Sequence, residues 1–546
     1  MARSSITRFL DSVSSKHSMR YIVYFSSIVF FLGLILVPPI LGIILKWNTM
    51  TQIFERPDLL SSAMNAIYAS FAIAIFVSLI DIVAGLPMAW FIARGKSRWL
   101  NVLDTLTDIP FIVPTVTLGY SMLLFWSDPQ GVSSLFGIDS LISPGWLLII
   151  LLHFAFSYPA IVRVMVGALL DYKQEYEEAA RTLGATPFTA DRTVTFPILK
   201  HSLVAAFTLA FARSISETGA TMMVAGAFQH GPIFIKTHLG QEGPLVFVSF
   251  ILIAVSCLIY AAIRFLGPRL KMPIKRVWPA TERKLSSSGV VTLRNGATLL
   301  VFFLMVLIPA LFVALPTGHA IFNGTLNKAL AGAYPWEGYW HSLTLSYLIA
   351  AVVTLLNVLL SLPMAILIAR RRVGTVPSTI LDVLVNIPMI IPSTALGASL
   401  GIFWMENFAF VPEIWLLIFA HLSITYPYFV RSMSAAVERI PTELEEAART
   451  LGARPFSVFK TIILPLTKYS LLSGAIMMFT RSVDETGATI AVVKELKTAP
   501  VLLVQWVGLL KSGEITSLDM GLGCGLLVIF SFIILLILRF IARGRS

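Results

Sequence analysis

Two nearly identical runs, RSISETGAT at 213–221 and RSVDETGAT at 481–489, each put an arginine and a glutamate four residues apart. On a helix Arg213 with Glu217, and Arg481 with Glu485, share one face and can meet. Ionisable groups inside a membrane are costly, so they turn toward a partner or a cavity. The chemistry on offer is charge recognition: a gate or lining of a translocation path, or a structural ion pair. Gly219 and Gly487, two residues beyond each glutamate, permit a close helix approach or a local break. Prolines four apart recur in IPFIVP and IPMIIP, Pro110 with Pro114 and Pro388 with Pro392. Proline removes a backbone donor and kinks a helix. Inside a bilayer the freed carbonyls need protein or water partners. These four residues suggest either a pore-facing broken helix or a kink made for packing.

Other groups point to no catalysis. His153 and His421 recur at matching places, but no second ligand at useful spacing accompanies either, so no metal site is expected. They read as hydrogen-bonded interior residues. Arg163 and Arg431 recur near the end of one span and are expected to pair or snorkel. There is no H-E-x-x-H, no carboxylate cluster and no nucleophile motif, so a membrane enzyme finds no support. The Gly-Lys-Ser at 95–97 has Trp90 where a P-loop needs its first glycine. No catalytic residue is expected.

The elements that carry these residues follow from composition. The chain has 546 residues, 57% hydrophobic and 13% charged, with a mean hydropathy of +0.83. That is membrane-protein composition. Apolar runs long enough to span a bilayer are expected near 23–45, 64–92, 104–126, 146–170, 198–225 and 245–266, then 297–317, 341–369, 382–404, 414–437, 466–493 and 518–539. The fold class is an all-α integral membrane protein of about twelve transmembrane helices. The first run follows basic Arg3, Arg8, Lys16 and Arg20, and no small-residue cleavage site follows it, so it reads as a retained helix. The net charge of +12 is unevenly spread. With the N-terminus inside, the outer segments hold seven basic residues (Lys46, Arg56, Lys236, Lys328, Lys494, Lys497 and Lys511) and the inner segments hold most of the rest. That bias places both termini in the cytoplasm and makes a nucleic-acid partner unnecessary. Cys257 and Cys524, the only cysteines, lie in the sixth and twelfth runs and read as small core residues.

An internal repeat organises the whole chain. LPMAWFIAR (86–94) returns as LPMAILIAR (362–370), IPFIVPTVTLG (109–119) as IPMIIPSTALG (387–397), and HFAFSYPAIVR (153–163) as HLSITYPYFVR (421–431). Six spans per half, an even number, give both halves the same orientation, related by an axis along the membrane normal. The expected domains are 1–275 and 276–546, joined by a polar, basic linker near 267–296.

A polar segment between the fourth and fifth spans also repeats, near 171–196 and 439–464. From Glu177 to Phe188 the copies differ at one position, Thr186 against Arg454. Each reads as a short helix outside the bilayer. Thr442 with Glu445 forms a capping box in the second copy, and Asp171 or a neighbour caps the first. Gly184 and Gly452 mark the ends. A helix this short is not stable alone. Ala179, Ala180, Ala447 and Ala448 offer a small-residue face, and Glu178 and Glu446 a charge, for a partner's socket or for the chain's own surface.

Glu178-Ala179-Ala180, Gly184 and Val194-x-Phe196-Pro197 resemble the EAA signature, EAA-x3-G-x9-I-x-L-P, of type I ABC importer permeases. Glu446-Ala447-Ala448, Gly452 and Ile462-x-Leu464-Pro465 match it at every fixed position. The resemblance covers nearly the whole chain as two fused six-helix permease domains. It implies that these helices couple to two ABC ATPase subunits at the cytoplasmic face, which would bind ATP and Mg; no cofactor is expected in this chain. It also implies an extracytoplasmic substrate-binding protein, a prokaryotic inner membrane and a lipid bilayer as surroundings. The alternative is a twelve-helix secondary transporter, which has no such docking segment. Glu217-Thr218-Gly219-Ala220 resembles the E-[FY]-G-A region of sulfate, molybdate and tungstate permeases, with Thr218 and Thr486 in place of the aromatic. The fused architecture resembles ferric-iron permeases. The expectation is import of a small inorganic oxyanion, with ferric iron as the alternative.

Overall fold

The computed structural model describes residues 11–95, 97–269 and 278–543. Arg3, Arg8, Lys96 and the middle of the expected linker, with its division after 275, lie outside the described residues. The first half contains α1 (Tyr21–Leu45), α2 (Pro57–Arg94), α3 (Trp99–Ile112), α4 (Thr115–Phe136), α5 (Trp146–Asp171), α6 (Glu175–Thr182), α7 (Phe196–Ser216), α8 (Gly219–Val224), α9 (Gly231–Thr237) and α10 (Glu242–Leu266). The second contains α11 (Pro279–Leu285), α12 (Ser288–Phe322), α13 (Tyr339–Ala369), α14 (Thr375–Ile390), α15 (Ser393–Asn407), α16 (Glu413–Glu438), α17 (Thr442–Thr450), α18 (Leu464–Val483), α19 (Gly487–Val492), α20 (Ala499–Ser512) and α21 (Ser517–Arg543). No strand occurs among the described residues.

Among the described residues, ten helices are long and apolar enough to cross a membrane, or twelve if each bent pair counts as one span. The third spans expected near 104–126 and 382–404, whose paired prolines suggest a broken or kinked helix, are helix pairs, bent by 104° between α3 and α4 and by 101° between α14 and α15. Pro114 and Pro392 cause the bends. Each lacks an N–H, and each pushes the residue before it, Val113 or Ile391, into extended backbone at ψ 122° or 132°. The expected fifth spans also stop short. Glu217 and Thr218 separate α7 from α8, and residues 484–486 separate α18 from α19.

Four milder proline effects leave the helices continuous. Segments with π-type hydrogen bonding end at Leu36, Thr195, Leu307 and Ile463. In every case a proline (Pro38, Pro197, Pro309 or Pro465) follows two residues later. The missing N–H and the ring's clash with the preceding turn widen the ladder locally.

Neither core follows the sequence halves. One gathers Val77, Leu118, Tyr120 and Tyr158 of the first half with Phe302, Val306, Trp506 and Leu522 of the second. The other gathers Leu396, Leu417 and Phe429 with Phe31, Ile35, Val246 and Leu252. The first helix of each half thus packs on the opposite half. Phe31 stacks on Tyr426 at 5.5 Å, and Ser121 Oγ donates to the Pro309 carbonyl at 2.6 Å. Gly42 lies so close to α15 that an added Cβ would sit 1.8 Å from the Ser399 carbonyl oxygen.

Candidate functional site

The breaks in the fifth spans are held open by the recurring histidines. His153 bonds Ser214 Oγ at 2.9 Å through Nδ1 and Thr221 Oγ1 at 2.8 Å through Nε2, one on each side of the gap. His421 does the same with Ser482 and Thr489, at 2.8 and 2.9 Å. The expected interior, hydrogen-bonded role is what is observed. Each glutamate then starts the next helix: Ala220 N–H donates to Glu217 Oε1, and Ala488 N–H to Glu485 Oε1, both at 2.8 Å.

The two arginines part company. Arg481 meets Glu485 Oε2 at 2.7 Å, as the spacing suggests. Arg213 forms no such pair. Its guanidinium carbon lies 4.4 Å from the Phe111 ring centre and 4.0 Å from that of Phe156. Both glutamates lie past the end of their helix, so the break itself does not separate the two cases; Glu217 is extended there with ψ 125°.

Gly219 and Gly487 lie where the halves touch. A Cβ on Gly219 would meet Thr486 Oγ1 at 2.6 Å, and one on Gly487 would meet Thr218 Oγ1 at 2.8 Å. The contact is reciprocal, as two-fold related halves require. It is a close approach, one of the two uses the sequence allowed.

A cavity of about 790 Å³ lies beside this crossing. Along α18 its lining runs Tyr469, Leu472, Ser473, Ile476, Met477, Thr480, Arg481 and Asp484, a helical stripe of about 22 Å at 1.5 Å per residue. The first half adds Pro110, Phe111, Thr115, Phe156, Arg163 and Arg213. Pro114, Glu217, Gly219, Pro388, Pro392, Glu485 and Gly487 are not among its walls. The first elbow therefore faces the cavity and the second is packed away from it. Arg163 is satisfied by Asp104 at 3.1 Å and by Asp108, and Arg431 by Asp382 at 3.0 Å.

The two EAA helices, α6 and α17, stand at the outside of the bundle. Glu178, Ala179, Glu446 and Ala447 are exposed, and Leu183 and Leu451 at their tips are 89% and 88% exposed. Gly184 and Gly452 end them at φ +90° and +83°. Gly184 N–H bonds the Arg181 carbonyl at 3.0 Å and Ala185 N–H that of Ala180 at 3.1 Å, a Schellman ending repeated at Gly452 and Ala453. The expected N-caps are absent. Asp171 closes α5 instead, and neither Thr442 nor Gln174 makes a side-chain cap bond. Glu445, expected to reach back to the cap, is taken by Arg370 at 2.8 Å.

That ion pair was legible but unread in the repeat. Arg94 and Arg370 close LPMAWFIAR and LPMAILIAR, and each binds the residue before the EAA glutamate, Glu177 at 3.3 Å and Glu445 at 2.8 Å. Asp81 inside α2 was also passed over; Ser157 bonds it, as Thr425 bonds its counterpart Asn357 at 2.8 Å. A further exchange tethers the coupling segments. Glu282 accepts from Thr189 Oγ1 and pairs with Arg192 at 2.8 Å, while Asp11 accepts from Ser457 N–H at 2.8 Å. Each half's leading segment thus holds the other half's loop. At the opposite end of α1, hydrogen bonds with Glu406 and Glu242 hold the Lys46 ammonium above its usual pKa.

The family model described as the binding-protein-dependent transport system inner membrane component matches residues 82–272 and again 361–544. The chain belongs to this family. Its two matched segments make it a fused, two-domain type I ABC permease and a multi-pass inner membrane protein. It is similar to the sulfate transport system permease protein CysT of Salmonella typhimurium, 32% identical over 206 residues, which are 36% of this chain and 72% of that one. It is also similar to the molybdate/tungstate transport system permease protein WtpB of Pyrococcus abyssi, 28% identical over 235 residues, 42% of this chain and 92% of that one. Each relative matches about one half of the permease, as a fused duplication requires.

Proposed function

We propose that this permease is the translocation subunit of an ATP-driven, binding-protein-dependent importer of a small inorganic oxyanion. The observation that carries the reading is the pair of exposed EAA helices, alike in sequence and ending, each presenting a leucine left exposed among the described residues. Two like helices suit two like sockets, so two ATPase subunits would seat at Glu178, Ala179, Ala180 and Gly184 and at Glu446, Ala447, Ala448 and Gly452. ATP and Mg would act on those subunits. The sequence division into 1–275 and 276–546 gives one permease domain to each. Closure of the ATPases would move α6 and α17, and the tethers through Arg94, Arg370, Asp11 and Glu282 would carry that motion into both halves.

The substrate class draws on the names of the relatives, which are sulfate and molybdate/tungstate permeases. Of the arginines facing the cavity, Arg163 and Arg481 are paired with carboxylates, and Arg213, which forms no ion pair among the described residues, suits an anion. A partner binding protein would deliver the substrate, and calorimetry on that protein tests the class. Molybdate, tungstate or sulfate should bind tightly and ferric iron should not. Tight iron binding with no oxyanion response would overturn the substrate while leaving the permease intact.

A further inference from the structure

We propose that Arg213 is the anion-contacting residue of the translocation path, a transient seat for a tetrahedral oxyanion, and that its repeat counterpart Arg481 is not. This rests on the oxyanion reading above. Arg213 lines the cavity and stacks near Phe111 and Phe156 at 4.4 and 4.0 Å. Rings cover a guanidinium's faces but supply no hydrogen-bond acceptor. Among the described residues Arg213 forms no ion pair, and its buried Nε has no hydrogen-bond partner. Its planar fork matches two oxygens of an oxyanion. A cation kept unpaired in a membrane-embedded cavity costs stability, which marks it as functional.

The repeat explains why the counterpart differs. The residue equivalent to Phe111 is Met389, and that equivalent to Phe156 is Ile424. Without rings to hold it, Arg481 turns to Glu485 at 2.7 Å and is neutralised. Glu217 does not do the same for Arg213: among the described residues its carboxylate accepts from Ala220 N–H and forms no ion pair, while Arg213 stays over the two rings. Asp81 accepts from Ser157 through one oxygen and forms no ion pair with Arg213. The equivalent of Ser216 is Asp484, which lines the same cavity and makes no ion pair among the described residues. A carboxylate there keeps the seat weak, and a conducting site must release what it binds.

The test uses the full assembly, permease with ATPases and binding protein, in proteoliposomes, with molybdate and ferric iron uptake measured in parallel. Thermal unfolding of the same assembly is recorded. Arg213→Met should cut oxyanion uptake about tenfold or more, in line with one lost charge-assisted hydrogen bond. Stimulation of the ATPases by loaded binding protein should persist, and the melting temperature should hold or rise, since an unpaired buried charge is removed. Arg213→Lys should retain part of the uptake. Arg481→Met should lower the melting temperature by stranding Glu485. Wild-type-like uptake by Arg213→Met would overturn the proposal, as would a melting temperature that falls as far as that of Arg481→Met, because Arg213 would then be structural. A wild-type assembly that carries iron and no oxyanion would instead overturn the substrate reading, and this inference with it.

Discussion

Arg370 and Glu445 are 7% and 5% exposed, whereas Arg94 and Glu177 are 18% and 12% exposed and lie farther apart. Breaking a buried pair strands a charge and costs about 3–5 kcal/mol, while a more solvated pair contributes less. Glu445→Gln should therefore lower the unfolding temperature of the permease more than Glu177→Gln. Equal shifts would show that burial does not separate the two coupling sites. At this scale the sequence was readable where a contact is local. Arg481 and Glu485, four residues apart, do meet, although Glu485 lies just past the end of α18, and Gly184 and Gly452 follow from helix-ending chemistry. Arg213 was misread because its neighbours Phe111 and Phe156 come from other elements, and no spacing along α7 brings them to it. The capping box at Thr442 failed for the same reason: Arg370, distant in sequence, outcompetes a backbone N–H for Glu445.

The short helices α6 and α17 depend on their endings, since neither buries enough to hold itself. Nothing lies within 4 Å of a Cβ placed on Gly184 or Gly452, so a substitution there is resisted by backbone conformation alone. A left-handed residue with a side chain costs about 1–2 kcal/mol, least for asparagine. Gly452→Val should uncouple transport from ATP hydrolysis, and Gly452→Asn should retain most of it. If both behave alike, the positive φ is not what the position requires. Element identity was legible because apolar runs of span length are unambiguous. The bends in the third and fifth spans were signalled by Pro110, Pro114, Pro388 and Pro392 and by Gly219 and Gly487, but their angle was not. A proline sets where a helix breaks, and the packing on both sides sets how far it turns.

The halves grip each other through exchanged first helices and through the crossing of Gly219 with Thr486. Gly219→Ala should weaken the contact between halves, because its Cβ would sit 2.6 Å from Thr486 Oγ1. Thr486→Ser removes a methyl yet keeps that oxygen, so Thr486→Ala should rescue Gly219→Ala better than Thr486→Ser does. Unfolding midpoints of the single and double variants would give the coupling, and additive effects would contradict the contact. This exchange was not legible in the sequence, because the apolar runs of α1 and α12 carry no pattern that names a partner. The central claim concerns the whole molecule, and ATP-dependent uptake tests it most directly. The permease is reconstituted in sealed proteoliposomes with its binding protein and radiolabelled molybdate, with and without the ATPase subunits, and with ion gradients imposed or collapsed. Uptake should appear only when ATPase subunits and ATP are both present, and should survive collapse of every gradient. Uptake by the permease alone, driven by a gradient, would contradict the account.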